Sequence, residues 1–305
     1  LSMFINEESN IRQLTMAMET TERRLGYPLS VYIMSEHPFH AQMPQLLAGC
    51  GFRGAVLRTH FMMYGHNPEL EAPVAWWVGV DGSRIAALPT YPGQLVPPRS
   101  YHRIPGLAAT LDNRILTDGG SEECPMTLAD FRRKFGRRIA PLIATRADDP
   151  RSHEELISLH EGDPNYKWIL VEDIFDLLPQ PRAELRAEAN DFRGRMPWGY
   201  CGNWMWNRTR EAEVRILTAE RLAAIHAALG GPAWEPELER GWKHLLVAQH
   251  HDIQICGLEE DARRFLGRSR EAADQVIQRV LSAVGVRIGG GGTREVVFNP
   301  LPWQR

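Results

Sequence analysis

The stretch Trp242-Lys243-His244-Leu245-Leu246-Val247-Ala248-Gln249-His250-His251-Asp252-Ile253 decides how this chain is read. Trp242, Leu245, Leu246 and Ile253 recur at helical spacing and fall on one face, with Gln249 in the same stripe. At about 100° per residue, His250 and Asp252 flank that stripe and His251 points away from it. One helix therefore offers an apolar face to a bundle and a run of polar groups to a second surface. Imidazole is a common zinc ligand, and a carboxylate beside it can orient the ring or hold a hydroxyl of a bound molecule. Taken alone, the same residues also suit a solvated helix end or a satisfied capping cluster.

Outward from this stretch, the C-terminal third is helical in pattern. Long amphipathic runs cover roughly Arg208 to Leu229, Trp234 to Ile253 and Glu259 to Val284. Gly230-Gly231-Pro232 separates the first two, and Gly289 to Gly292 forms a connector after the third. Three long helices with short joints predict a three-helix bundle over residues 186–288. Residues 289–305 read as a linker and the start of a truncated β domain, because Val296-Val297-Phe298-Asn299-Pro300 is a strand entering a turn.

Residues 1–185 alternate instead. Glu7 to Leu25 is helical, with Ile11, Leu14, Met18 and Leu25 at helical spacing. Leu29 to Met34 reads as a strand, Met43 to Cys50 as a helix stopped by Gly51, and Gly54 to Arg58 as the next strand. Trp76 to Ile85 reads as a hairpin turning at Asp81-Gly82. A Pro-rich loop follows from Leu88 to Pro105, then a strand at Leu111 to Leu116, a helix from Thr127 and a further unit near Trp168 to Val171. This alternation predicts an α/β fold: a (β/α) barrel-like parallel sheet ahead of an all-α three-helix bundle.

Strand C-termini in such folds face the active site. Glu36 follows the first strand and Asp118 follows another, ahead of Gly119-Gly120. A pair of strand-end carboxylates suits glycoside cleavage, one attacking and one protonating the leaving oxygen. The blander roles are a favourable helix-start dipole contact for Glu36 and a turn residue for Asp118. His37, His40, His60 and His66 near one strand end suggest a different metal-dependent hydrolase, or scattered loop histidines.

Composition bounds the alternatives. The chain has 305 residues, 43% hydrophobic and 24% charged, with net charge −3, so no global charge draws it to nucleic acid or an anionic membrane. Four cysteines without a CxxC pair argue against a disulfide framework and a cysteine zinc site. No apolar run approaches the roughly 18 residues of a membrane span. The start at Leu1 and the strand at the far end read as cuts from a longer protein. The absence of a signal-like segment therefore favours a cytoplasmic location only slightly.

Several segments, in order, resemble glycoside hydrolase family 38, the α-mannosidases. These are Trp77-Val78-Gly79-Val80-Asp81-Gly82-Ser83, the loop from Asp118 through Pro125 and Thr127, and Arg210, Glu213, Ala219 and Glu220 on one helix. Trp242 to Ile253 and Val296 to Leu301 complete the set. The resemblance implies a zinc-dependent retaining glycosidase, acting on α-mannosidic or related linkages through a covalent glycosyl-enzyme. It implies His251 and Glu36 as metal ligands, Glu36 as nucleophile and Asp118 as acid/base. Arg58, His250 and Asp252 would contact the sugar. A carbohydrate is the expected partner, with self-association left open. Two departures stand out. No His-x-Asp pair precedes Glu7, and the family's nucleophilic Asp falls at Ser35 or, with a one-residue shift, at Glu36. They keep a second expectation open, a non-catalytic carbohydrate-binding relative.

Overall fold

In a computed structural model of the protein, the described residues are 5–33, 40–57, 72, 74–88, 161–162, 164, 169–186, 203–250, 253, 257–288 and 297–299. By contacts, the chain divides into two compact units. One holds Met3–Gln13 and Trp198–Arg305, and the other holds Leu14–Pro197.

The second unit is an α/β assembly. After helix α1 (Glu7–Leu25) come strand β1 (Val31–Ile33), helix α2 (Met43–Gly49), strand β2 (Gly54–Val56) and the pair β3 (Ala75–Val78) and β4 (Arg84–Leu88). A 3-10 turn at Val171–Asp173, helix α3 (Ile174–Leu177) and strand β5 (Ala183–Arg186) follow. The described strands form one five-stranded sheet in the order β1-β2-β4-β3-β5. β1 with β2, β2 with β4, and β3 with β5 run parallel. β3 and β4 pair antiparallel as the hairpin expected from Asp81-Gly82, so the sheet is mixed rather than wholly parallel.

Local chemistry explains these elements. α1 starts under an Asn6 cap, whose Oδ1 accepts the Ser9 N–H at 2.7 Å, and it ends at Gly26 with φ 65°. Glu7 and Glu8 open it and Arg23 and Arg24 close it, complementing the helix dipole. In the hairpin, Asp81 accepts both the Ser83 N–H at 2.9 Å and the Ser83 hydroxyl at 2.6 Å. Those hydrogen bonds hold the Asp81 carboxyl below its ordinary pKa. Gly82 takes φ 84°, which the turn requires. Val31, Val56, Val74 and Leu88 form a core cluster against which Ile174, Phe175 and Leu178 pack.

Two elements go beyond what the sequence specified. The stretch after Trp168 is a 3-10 turn and a short helix over Val171–Leu177, because Glu172, Asp173 and Asp176 interrupt its apolar run. β5 was not legible: only Leu185 of its four residues is buried, so it shows no strand-like apolar pattern.

The other unit carries three long helices, α4 (Asn203–Ala228), α5 (Glu235–Ala248) and α6 (Glu259–Ile288), each packed on the other two. Their buried positions follow a coiled-coil repeat. In α4 the buried residues Met205, Thr209, Ala212, Ile216, Ala219, Ala223 and His226 fall at alternating steps of four and three, with Glu213 and Leu222 buried beside that seam. In α6, Ala262, Leu266, Ser269, Ala273, Val276 and Val280 repeat the pattern. Leu238, Trp242, Leu245 and Gln249 continue it in α5. The bundle is thus as predicted, but α5 stops at Ala248 with Gln249 as its C-cap. The uniform 100° step therefore holds as far as Ala248, and His251 and Asp252 lie outside the described residues.

Candidate functional site

The end of α5 is held by a buried polar cluster. Glu213 on α4 is 1% exposed. Its Oε1 accepts hydrogen bonds from Gln249 Nε2 at 2.8 Å, the Ser9 hydroxyl at 3.1 Å and the Asn6 backbone N–H at 3.0 Å. Its Oε2 accepts from Arg210 at 3.0 Å. Gln249 Nε2 also donates to Ser9 Oγ at 3.1 Å. A carboxylate out of water needs such donors, or desolvation would expel its charge.

A second polar contact lies beside it. Glu220 accepts from Trp242 Nε1 at 2.8 Å and from Arg12 at 2.9 Å, while the Arg12 guanidinium sits 5.1 Å from the Trp242 ring centre. Burial raises the Glu220 pKa, partly offset by these donors. Gln13 Nε2 donates to the Leu246 carbonyl at 3.1 Å. The first two turns of α1 are thereby sewn to α4 and α5.

Four residues past Gln249, Ile253 is buried at 8% and packs with Met205 and Ala262, flanked by Trp204 and Phe265. So the run His250-His251-Asp252 lies between two anchored residues. Gln249 precedes it and Ile253 follows it in the chain. His250 itself is exposed. Glu36, Arg58, Asp118, His251 and Asp252 lie outside the described residues. Arg210, Glu213 and Glu220, noted in the sequence only as part of a family pattern, prove to be the scaffold of the α5 end. Each stands one residue past a seam position of α4, next to Thr209, Ala212 and Ala219.

In the α/β unit, His40 is the described member of the histidine group near the first strand end. Its Nδ1 accepts the Gln42 N–H at 3.3 Å, and its buried Nε2 has no hydrogen-bond partner among the described residues. Desolvation lowers its pKa to about 4, so the ring is neutral near pH 7. Among the described residues, no three His, Cys, Asp or Glu side chains converge as a metal site. No described helix is long and apolar enough to cross a membrane.

Neither a protein-family model nor a curated protein matches the sequence. Solved structures do match the fold. An α-mannosidase from Enterococcus faecalis V583 superposes with a TM-score of 0.58 over 93% of this chain and 33% of its own, at 17% identity. A protein in glycosyl hydrolase family 38 from Enterococcus faecalis gives 0.56 over 92% of this chain and 30% of its own, also at 17% identity. The α-amylase AmyC from Thermotoga maritima gives 0.51 over 92% and 65%, at 12% identity. The chain therefore has the fold of about a third of a family 38 structure, as the resemblance implied.

Proposed function

We propose that this chain is part of a retaining glycosidase acting on α-mannosidic or related linkages. The observation that carries this reading is the tethering of Gln249 and Ile253, the residues that flank His250-His251-Asp252 in sequence, in a chain with the family 38 fold. Such tethering is what a first-contact site needs, since loosely held ligands lose precision.

Glu36 attacks the anomeric carbon as Asp118 protonates the departing glycosidic oxygen, giving a covalent glycosyl ester on Glu36. Asp118, now a carboxylate, takes a proton from water, and that water cleaves the ester with net retention. Retention requires the two carboxyl groups to stand about 5 Å apart. Arg58, His250 and Asp252 bind and orient the sugar. The mixed oxygen and nitrogen donors of Glu36 and His251 suit zinc, which when bound would hold sugar hydroxyls. In the full-length protein, Glu36→Gln is expected to abolish turnover of an aryl α-mannoside. Unchanged turnover removes Glu36 as nucleophile.

A second reading is a carbohydrate-binding relative without catalysis, favoured by Ser35-Glu36 at the place of the family's Asp. Metal analysis of the full-length protein separates the two. Stoichiometric zinc lost in His251→Ala supports the enzyme, and metal-free protein that still binds mannosides supports the binding module.

A further inference from the structure

The N-terminal halves of α4 and α6 enclose a groove of about 180 Å³. Its walls come from Trp204, Arg208 and Glu211 on α4 and from Arg263 and Arg270 on α6. Ala212, Leu266 and Gly267 form the floor. A Cβ placed on Gly267 would meet nothing within 4 Å, so the floor there is open.

The three guanidiniums are unequally satisfied. Arg208 is paired tightly with Glu211 at 2.6 Å. Arg263 reaches Glu259 only at 3.5 Å, and Arg270 reaches Asp274 only at 3.7 Å, where Arg215 already binds the same carboxylate. The Arg263 guanidinium carbon lies 4.1 Å from the centre of the Trp204 ring, a cation–π contact along the groove wall. The lining holds three arginines and one glutamate, with the Glu259 and Asp274 carboxylates beside it in looser pairs.

We propose that this groove binds a small oxyanion-bearing molecule, a phosphate ester or a carboxylate, through Arg263 and Arg270. The planar fork of guanidinium matches such an oxyanion with paired charge-assisted hydrogen bonds. The proposal is independent of the glycosidase reading, since it uses none of the residues assigned there to catalysis, metal or sugar.

The test is calorimetric titration of the 305-residue chain with glucose 6-phosphate, glucuronate and inorganic phosphate, with glucose as the neutral control. Saturable binding of at least one anion, and none of glucose, is expected at low salt, weakening as ionic strength rises. Preference for the phosphates or for glucuronate identifies which oxyanion the groove takes. The double change Arg263→Ala and Arg270→Ala is expected to weaken binding by about tenfold or more. Gly267→Leu keeps every arginine, improves helix propensity and fills the floor, and it is expected to weaken binding comparably. Helical circular dichroism checks that both variants remain folded. The proposal is overturned by the absence of saturable anion binding, by glucose binding as tightly as glucose 6-phosphate, or by affinity that both folded variants retain.

Discussion

Glu213 carries its consequences through single atoms. Its Oε1 serves three donors, whereas its Oε2 serves only Arg210, whose side chain is 54% exposed and can turn to water. Glu213→Gln keeps one acceptor oxygen for the three buried donors and is expected to cost about 1 kcal/mol. Glu213→Ala strands those donors and is expected to cost about 3 kcal/mol or more. Urea unfolding followed by circular dichroism reads both, and equal costs would refute the assignment of Oε1 as the shared acceptor. His40 makes a pH-dependent contribution. Its folded pKa is about 4, below the usual 6.5, so between these values the unfolded chain binds a proton that the folded chain refuses. Stability is therefore expected to fall as pH drops from about 6.5 toward 4, by on the order of 2–3 kcal/mol. His40→Asn retains an acceptor for the Gln42 N–H and removes the titration. Its urea midpoint should show a shallower pH dependence over that window.

At the scale of elements, close approach decides what each segment tolerates. β2 begins at Gly54, where an added Cβ would stand 2.3 to 2.6 Å from three atoms of the Phe175 ring of α3. Gly54→Ala must displace that ring from the Val31, Val56 and Leu88 cluster. A loss of about 1–3 kcal/mol is expected. Adding Phe175→Leu should recover part of it, because a smaller side chain vacates the clash. Thermal unfolding of the single and double variants measures this, and strict additivity would show that the two residues do not meet. The bundle helices behave differently. Their steps of three and four place small residues where backbones meet, as at Gly241, whose added Cβ would lie 3.3 Å from Ala272 Cβ and 2.6 Å from Ile216 Cδ1.

Across the whole molecule, the chain's first segment belongs with its last third. Residues Met3–Gln13 cluster with Trp198–Arg305, and Asn6, Ser9, Arg12 and Gln13 all donate to α4 or α5. Removing residues 1–13 takes two of the three donors from Glu213 Oε1 and the cation from Glu220. The helical unit is expected to lose about 3 kcal/mol or more, read by urea unfolding monitored through tryptophan fluorescence. Unfolding unchanged by the truncation would contradict this account. The expectation that residues 1–185 form one domain ahead of the bundle rested on sequence order, and long-range hydrogen bonds do not follow sequence order.

Periodicity alone determined a good deal. The span of α1, the hairpin about Asp81-Gly82, the stop of α2 before Gly51 and the three bundle helices each carry a local signature in turn residues, caps or heptads, so each was readable without coordinates. The buried face through Trp242, Leu245 and Gln249 was equally plain. What the chain alone could not reveal was decided by partners far away in sequence. β5 is a strand because Ala75 to Val78 offers it a parallel ladder, not because Ala-Glu-Leu-Arg favours one. α5 ends at Ala248 because Gln249 is committed to Glu213 and Ser9, 36 and 240 residues away. Gln249 fell in the buried stripe in sequence, and the tertiary structure shows what it is buried for: it donates to Glu213 and Ser9. The reason is desolvation: only packing removes Glu213 from water, and only then must its carboxylate gather distant donors around it.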